Sequence, residues 1–263
     1  MDYLKYDWCS PSGSINDQVA TFAKMRDALA ATGRPIVYSI NSNSVHAKTG
    51  PQRNWGDVAN LWRTTEDIQL AWDTGQSNGY PMGVRNIVDV NVPLAGYAGP
   101  GQFNDPDMME VGRGTLSDTE QRSHFALWAM MAAPLIAGND VRSMSAATQT
   151  ILKNAELIAI NQDTLALQAT QVSNDGTRRV LAKRLSNGDV AVALFNQAAR
   201  PRRSPPRRPR SASPAVPSPC ARPGPAPPPP APGRSTPPCP GTAPSCSGSA
   251  AAPARPPPAV RPW

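Results

Sequence analysis

The stretch YLKYDWC, residues 3–9, predicts a β-strand that carries a carboxylate, Asp7, near its carboxyl end. A strand of this kind usually belongs to the middle of a fold, because it needs hydrogen-bonded neighbours on both sides. The rest of the sequence must supply those neighbours.

Predicted helices and strands alternate after this segment. Apolar residues at helical spacing predict a helix over 14–32, and a β-branched run predicts a strand over 34–41. The further predictions, in chain order, are a helix over 55–62, a strand or extended turn over 63–68, a helix over 69–77, a short extended segment near 104–112, a helix over 117–132 with a capping box at Ser117 and Glu120, a strand over 133–141 and a largely helical region over 145–161.

Such alternation favours parallel strands joined by right-handed crossovers, as in an open doubly wound sheet or a (β/α)8 barrel. No Gly-x-Gly-x-x-Gly turn follows a strand, so the sequence does not support a nucleotide-binding sheet. In barrels, catalytic residues come from the carboxyl ends of several strands. The polar residues predicted at such ends are Asp7, Asn41, Asp67, Asp107 and Asp140.

The character of the sequence changes after residue 165. Alternating apolar residues over 171–197 flank an Asn187-Gly188 turn, which predicts a hairpin at the start of an antiparallel β domain. Residues 198–263 contain 23 of the 31 prolines and ten arginines, with no Lys, Asp or Glu, and this composition predicts disorder. The predicted domains are therefore a partial barrel over 1–165, the beginning of a β domain over 166–197 and a tail over 198–263.

The net charge of +7 belongs to the tail, because subtracting its ten arginines leaves −3 for residues 1–197. An arginine-rich tail is compatible with a polyanion-binding role, but apart from Trp263 it lacks aromatic residues for base stacking, so we expect no nucleic-acid partner. No stretch approaches the roughly 20 apolar residues of a bilayer span, and no export signal follows Met1. We therefore expect no membrane association, and the sequence leaves the oligomeric state open.

Asp7 and Asp67 are the leading catalytic candidates, because each has a cation close in sequence, Lys5 and Arg63 respectively. A carboxylate beside a fixed cation stays ionised, as a nucleophile must, and a second carboxyl can donate and accept a proton in a two-step glycosyl transfer. The same pattern also describes ordinary surface ion pairs, and the pattern alone favours that reading.

Metal and disulfide chemistry have little support in the sequence. His46 and His124 are isolated, and the spacings typical of zinc ligands are absent, so we expect neither a metal nor another cofactor. Three of the four cysteines lie in the tail, which leaves Cys9 alone in residues 1–197.

Six segments together resemble the melibiase-type α-galactosidases, glycoside hydrolase family 27, in family order and spacing. They are YLKYDWC (3–9), RPIVYSIN (34–41), WRTTEDI (62–68), GPGQFNDPDMMEVG (99–112), HFALWAMMAAPLIAGNDVRSM (124–144) and IAINQD (158–163). The resemblance implies a (β/α)8 barrel followed by an antiparallel β domain, with strands four to eight of the barrel in this chain. It also implies cleavage of terminal α-galactosides in oligosaccharides or polysaccharides, with retention of configuration.

The resemblance also implies roles for individual residues. Asp7 matches the nucleophile at the end of the fourth barrel strand, and Asp67 matches the acid/base on the sixth. Lys5 and Arg63 would hydrogen-bond sugar hydroxyls, and Asp107 would bind the ring near the reacting carbon.

Two positions bear on how far the resemblance extends. Asn41 stands where many family members have a sugar-recognising glutamate, and an amide lacks the stronger charge-assisted acceptor. The sugar is therefore left open between α-galactose, α-N-acetylgalactosamine and β-L-arabinopyranose. Cys9 would correspond to a half-cystine whose partner lies upstream.

The resemblance implies three further βα units before the nucleophile strand. The composition of the tail, which changes inside a predicted strand, resembles GC-rich DNA read in a shifted frame. We therefore expect an incomplete copy of a glycosidase that by itself neither folds stably nor acts as an enzyme. Family members are often secreted, whereas no signal peptide is evident in this sequence.

Residues 198–263 are expected to lack stable tertiary structure, because ordering each residue costs about 1–2 kcal/mol of backbone entropy and few aliphatic side chains offset that cost. Hydrogen exchange followed by mass spectrometry should find no protected amides in this segment. Protection there would contradict both the disorder and the shifted reading frame.

Overall fold

The structure, a computed structural model, describes residues 1–8, 13–42, 53–77 and 79–198. In these residues the strands are β1 (Tyr3–Asp7), β2 (Val37–Asn41), β3 (Leu61–Arg63), β4 (Phe103–Asp105), β5 (Thr170–Asn174), β6 (Arg178–Arg184) and β7 (Val190–Asn196). The α-helices are α1 (Ile15–Ala31), α2 (Val84–Asn91), α3 (Asp118–Met130), α4 (Ala146–Leu152) and α5 (Ala155–Asn161), with 3-10 helices at Val92–Tyr97 and Val141–Ser143. None of the helices in these ranges has the length and apolar character needed to cross a bilayer.

The first four strands form one parallel sheet in the order β1-β2-β3-β4. Asp7 lies opposite Asn41, and Arg63 lies opposite Asp105. Because the strands are parallel, their carboxyl ends meet at the same edge of the sheet. The predicted parallel arrangement is therefore confirmed, and it brings the predicted site residues to one edge.

Helix α1 fixes which face of β1 carries the site. A capping box between Ser14 and Asp17 starts the helix, and the buried Phe22 ring makes edge-to-face contacts with Tyr6 at 6.0 Å and Trp55 at 5.9 Å between centroids. Successive residues of a strand point to opposite faces. With Tyr6 packed against the helix, Lys5 and Asp7 lie on the other face of the sheet.

The predictions for residues 55–68 are wrong in detail. The expected helix over 55–62 is absent, and Leu61 and Trp62 instead begin β3, which ends at Arg63 rather than continuing to residue 68. The Thr64 N–H still donates to the Asp105 carbonyl at 3.0 Å, and the Thr64 hydroxyl donates to the Asn91 side chain at 2.7 Å. Beyond Thr64 the segment is irregular, and a single bridge pairs Ile68 with Met82.

The predicted helix over 69–77 is also wrong, and these residues are irregular. The Asn86 side-chain oxygen accepts hydrogen bonds from the backbone of Thr74 at 2.9 Å and of Gly83 at 3.0 Å. These bonds tie the segment to the start of α2, a helix that the sequence analysis did not predict.

The predicted strand over 133–141 is reduced to a single bridge between Ala137 and Met109. Gly138 lies so close to this bridge that a β-carbon there would be 2.6 Å from the Met109 carbonyl oxygen. Asp140 does not end a strand: it caps the 3-10 helix that follows and forms an exposed ion pair with Arg142. Asp140 is thus removed from the set of strand-end residues.

The predictions with local signals are confirmed. Helix α3 begins after Ser117 with the Ser117–Glu120 capping box in place. The helical region over 145–161 consists of α4 and α5, the second of which is capped by Asn154. The predicted hairpin is formed by β6 and β7 around Gly188, whose φ is +92°, and β5 completes an antiparallel sheet.

The antiparallel sheet packs on α3 through one face only. Leu181 and Phe195 on that face join the core that includes Trp128. The Lys183 amine is buried with them and donates to the Ala129 carbonyl at 3.1 Å, and burial lowers the pKa of Lys183 to about 8. The opposite face is open, with Leu194 82% exposed. The predicted tail after Ala198 lies outside the described residues.

His124 is the most completely buried titratable side chain of α3. Its Nε2 accepts a hydrogen bond from the Glu110 backbone at 3.3 Å, and its ring stacks on Trp128 at 4.1 Å between centroids. Burial lowers the pKa of His124 from 6.5 to about 3. The folded chain therefore holds this imidazole neutral throughout the mildly acidic range.

We predict that His124 makes the chain acid-sensitive. Because its pKa is lower in the folded state, the unfolded chain binds the proton more readily, and stability is lost as pH falls below 6.5 towards about 3. At pH 4.5 this group alone should cost roughly 3 kcal/mol, because each pH unit below 6.5 costs about 1.4 kcal/mol. Urea unfolding at pH 7 and pH 4.5 should show a smaller difference in His124→Gln, whose side-chain oxygen can accept the same hydrogen bond. An unchanged difference would contradict the prediction.

Candidate active site

The carboxyl edge of the parallel sheet gathers four of the predicted site residues. Lys5 and Asp7 lie two residues apart on β1 and therefore share a face, and Asn41 is paired with Asp7 on the neighbouring strand. Arg63 ends β3 at the same edge. The predicted strand-end positions of Asp7 and Asn41 are thus those observed, whereas Arg63, which was predicted to begin an extended segment, ends β3.

Arg63 is the centre of the best-defined part of the edge. Its side chain is only 3% exposed, and its Nη2 lies 2.9 Å from the Asp107 carboxylate and 3.1 Å from that of Asp67. The same nitrogen donates to the Thr65 carbonyl at 3.0 Å. Burial alone would lower the pKa of Arg63, but Asp107, Asp105 and Asp67 outweigh it and raise the pKa. The guanidinium therefore stays charged.

Asp107 connects the segments that follow β3 and β4. Besides Arg63, its Oδ2 accepts the backbone N–H of Ile68 at 3.0 Å, and its Oδ1 accepts that of Met108 at 2.8 Å. The Asp107 carbonyl accepts from the Trp128 indole at 2.8 Å. These contacts hold the Asp107 carboxylate against the segment after β3 and the Asp107 backbone against α3.

Asp67 was predicted at the end of a strand, but it lies four residues beyond the end of β3. Its side chain is 58% exposed, whereas that of Asp107 is almost buried. Its backbone carbonyl accepts from Met82 at 3.3 Å, which holds the segment in place. Asp67 is therefore an accessible carboxylate on a fixed segment, which suits proton exchange with a bound molecule.

Asp105 is a member of this group that was not among the predicted site residues. It is paired with Arg63 in the sheet and is 4% exposed. Burial raises the pKa of Asp105, an effect that the charge of Arg63 partly offsets. The signal in the sequence was its place in the short extended segment predicted near 104–112.

Some predicted residues are not part of the described edge. Asp140 lies in its exposed pair with Arg142, and Cys9 and His46 are outside the described residues, so the expected half-cystine cannot be examined. Among residues 1–8, 13–42, 53–77 and 79–198, no group of three His, Cys, Asp or Glu side chains is arranged to hold a metal ion.

One cavity in the described part of the chain lies away from these carboxylates. It has a volume of about 510 Å³ and is lined at the amino-terminal ends of the strands by Tyr3, Val37, Leu61 and Phe103. Its lining is mainly apolar and carries none of the site residues named above. The chemistry of the described residues is therefore concentrated at the carboxyl edge, where two exposed aspartates accompany a buried cation.

We predict that removing the Arg63 charge destabilises the fold. Arg63→Met leaves Asp105 and Asp107 without their cation and should cost about 3–5 kcal/mol in the free energy of unfolding. Arg142→Met is the matched control, because Arg142 is 87% exposed in its pair with Asp140 and exposed pairs contribute little. Denaturant titration measures both, and equal effects of the two substitutions would contradict the assignment of Arg63 as a buried centre of charge.

Comparison with known proteins extends this picture. A family model described as alpha galactosidase A matches residues 1–163. Among curated proteins, the chain is 45% identical over 203 residues to alpha-galactosidase A of Cellvibrio japonicus, a match that covers 75% of this chain and 48% of the relative. It is 42% identical over 197 residues to an alpha-galactosidase of Oryza sativa subsp. japonica, covering 75% of this chain and 44% of the relative. The chain thus spans about half the length of the curated relatives it matches.

Solved structures give the same result. The structure of alpha-galactosidase I from Mortierella vinacea aligns with a TM-score of 0.69 and 32% identity, covering 74% of this chain and 52% of the other. An alpha-galactosidase of Saccharomyces cerevisiae solved with raffinose aligns with a TM-score of 0.67 and 33% identity, covering 74% and 48%. These neighbours are (β/α)8 barrel enzymes, so the predicted fold class is confirmed and the parallel sheet is part of such a barrel.

The comparisons also include the alternatives that the sequence left open. An alpha-N-acetylgalactosaminidase of Gallus gallus is 38% identical over 205 residues, covering 75% of this chain and 48% of the relative. A β-L-arabinopyranosidase of Geobacillus stearothermophilus shares the fold with a TM-score of 0.62 and 24% identity, covering 75% of this chain and 46% of the other.

Proposed function

The chain belongs to the melibiase family of α-galactosidases, and we propose that the whole protein hydrolyses terminal α-D-galactosyl residues from galactosides with retention of configuration. The observation that carries the proposal is that two exposed carboxylates, those of Asp7 and Asp67, lie at the carboxyl edge of the parallel sheet. The buried cation Arg63 lies at the same edge and contacts Asp67. Two carboxyl groups at one cleft are the minimum that a retaining glycosidase requires.

In the proposed reaction, Asp7 is the nucleophile and Asp67 the acid/base. The Asp7 carboxylate attacks the anomeric carbon while protonated Asp67 gives its proton to the departing glycosidic oxygen, which breaks the bond to the leaving group. Asp67, now ionised, then takes a proton from water as the water oxygen attacks the same carbon. The bond to Asp7 breaks, and both carboxyl groups return to their starting states.

Arg63 supports this assignment through its contact with Asp67. The Arg63 Nη2 lies 3.1 Å from the Asp67 carboxylate, so a buried and fixed guanidinium holds the exposed side chain at the carboxyl edge of the sheet. The same guanidinium contacts Asp107, which keeps the proposed acid/base next to a proposed sugar-binding residue.

The other predicted residues are proposed to bind the sugar. Lys5 and Arg63 donate hydrogen bonds to hydroxyls, Asp107 accepts from the ring hydroxyls near the reacting carbon, and Asn41, next to Asp7, offers an amide to a further hydroxyl. Charged donors and acceptors are the stronger partners for hydroxyl groups. Asn41 therefore binds less strongly than a carboxylate at the same position would.

The preference for galactose rests on the two relatives that are 42% and 45% identical, both of which are named α-galactosidases. The yeast relative was solved with raffinose, a sugar that ends in an α-galactosyl residue. An α-N-acetylgalactosaminidase is the second candidate, because such an enzyme is 38% identical and Asn41 leaves the sugar less constrained. A panel of nitrophenyl glycosides of the three sugars separates these activities.

We predict that both aspartates are required, with different signatures. The test protein is a hybrid in which the matched stretch of the Cellvibrio japonicus relative is replaced by the corresponding residues of this chain, assayed beside residues 1–263 alone. Asp7→Ala should lower kcat at least about 1,000-fold on every α-galactoside. Asp67→Ala should lower turnover of raffinose by about 100-fold or more, but should spare nitrophenyl galactoside, whose leaving group needs little protonation.

Two results would count against this proposal. Equal losses on both substrates in Asp67→Ala would remove Asp67 from the acid role, and an active Asp7→Ala hybrid would remove Asp7 as nucleophile. In a crystal structure of the hybrid with galactose, the two carboxyl groups should lie about 5–5.5 Å apart, the separation typical of retaining enzymes. A separation near 9 Å would indicate an inverting mechanism.

A further inference from the structure

Asp105 is a buried carboxylate whose role the proposed reaction leaves unassigned. It is 4% exposed at the end of β4, beside Arg63 in the sheet. Its burial leaves no room for it to act on a sugar directly. Its contacts point instead to the backbone of the loop that follows.

The Asp105 side chain holds the backbone of Asp107. Its Oδ1 accepts the Asp107 N–H at 2.9 Å across the intervening Pro106. Asp107 has a φ of +86°, a left-handed conformation that residues other than glycine seldom adopt. A buried hydrogen bond to the N–H of the strained residue is a direct means of stabilising that conformation.

The left-handed turn has a consequence for the site. It leaves the Asp107 carbonyl on the Trp128 indole at 2.8 Å while the Asp107 carboxylate reaches Arg63 at 2.9 Å and the Ile68 N–H at 3.0 Å. Asp107 is thereby joined to α3 through its backbone and to the segment after β3 through its side chain. Both connections depend on the conformation at one residue.

We propose that Asp105 is a positioning residue of the site, which holds Asp107 in the left-handed conformation that brings its carboxylate to Arg63. The proposal rests on the proposed function only for the identity of the site. Asp105 acts through Asp107 and does not touch the substrate.

The carboxylate has two separable contributions, a hydrogen-bond acceptor and a negative charge. Burial raises the pKa of Asp105, so the ionised form costs folding free energy, and stability falls as pH rises through the folded-state pKa. An asparagine offers the same acceptor without the charge. Comparing the two side chains therefore isolates the hydrogen bond to Asp107.

The experiment compares three variants of the hybrid protein defined above by NMR hydrogen exchange at the Asp107 amide. Asp105→Asn keeps an acceptor of the same shape, and Asp105→Leu keeps the volume without an acceptor. Asn104→Leu is the matched control, because Asn104 is buried on the same strand and its side chain donates to Leu94 and Gln168 on the other face. Exchange at Asp107 should accelerate at least about tenfold in Asp105→Leu and stay within about threefold in Asp105→Asn and Asn104→Leu.

A second arm covers the case in which Asp105→Leu does not fold. Glycine adopts positive φ without strain, so Asp105→Leu should lower the melting temperature much less in an Asp107→Gly background than in the unaltered protein. The proposal is overturned if Asp105→Asn and Asp105→Leu exchange at the same rate, if Asn104→Leu exchanges as fast as Asp105→Leu, or if Asp105→Leu lowers the melting temperature equally in both backgrounds.

These measurements need no substrate and no turnover. A hybrid enzyme without galactosidase activity would overturn the proposed function and leave the exchange result at Asp107 standing. An active hybrid in which Asp105→Leu leaves the exchange rate at Asp107 unaltered would overturn the positioning role of Asp105 and leave the proposed function standing.

Discussion

The buried charge of Arg63 is the constraint on which the rest of the site depends. A guanidinium that is 3% exposed requires carboxylates around it, because an uncompensated charge is costly to bury. Asp107 and Asp67 contact it directly, and the pairing of β3 with β4 places Asp105 beside it. The charge of Arg63 therefore requires the loops after β3 and β4 to approach one another, and these loops carry Asp67 and Asp107.

The parallel ladder and the loops make different contributions. The ladder brings the carboxyl ends of four strands to one edge, which places Asp7, Asn41 and Arg63 through backbone pairing alone. Asp67 and Asp107 lie beyond the strands, where hydrogen bonds from Met82 to Asp67 and from Ile68 to Asp107 hold them. The sheet thus determines which residues lie at the edge, and the loops determine the distances of Asp67 and Asp107 from Arg63.

This division explains how much could be predicted from the sequence. Helices with caps and the Asn187-Gly188 hairpin were predicted because their signals are local, and strand-end residues were predicted because parallel pairing needs only the order of elements. The prediction of a helix over 55–62 was wrong because a short buried apolar run has no period that distinguishes a strand from a helix.

The predictions for 69–77 and 133–141 were wrong because the backbone of these segments bonds to distant groups. Thr74 donates to the Asn86 side chain, and Ala137 forms a bridge with Met109. Asp105 was not predicted as a site residue, because its hydrogen bond to the Asp107 N–H depends on the conformation of Asp107, which the sequence does not reveal.

Burial separates the aspartates of the edge into two kinds. Asp7 and Asp67 are exposed, as the proposed nucleophile and acid/base have to be if they exchange bonds and protons with a sugar and water, whereas Asp105 and Asp107 are largely enclosed and accept backbone hydrogen bonds. An enclosed carboxylate loses the solvation that would let it move, so its position is set by the fold. An exposed one keeps the freedom to change protonation state during a reaction. In the proposed reaction, solvent access therefore separates the reactive Asp7 and Asp67 from the buried Asp105, whose proposed role is to position Asp107 for binding of the sugar.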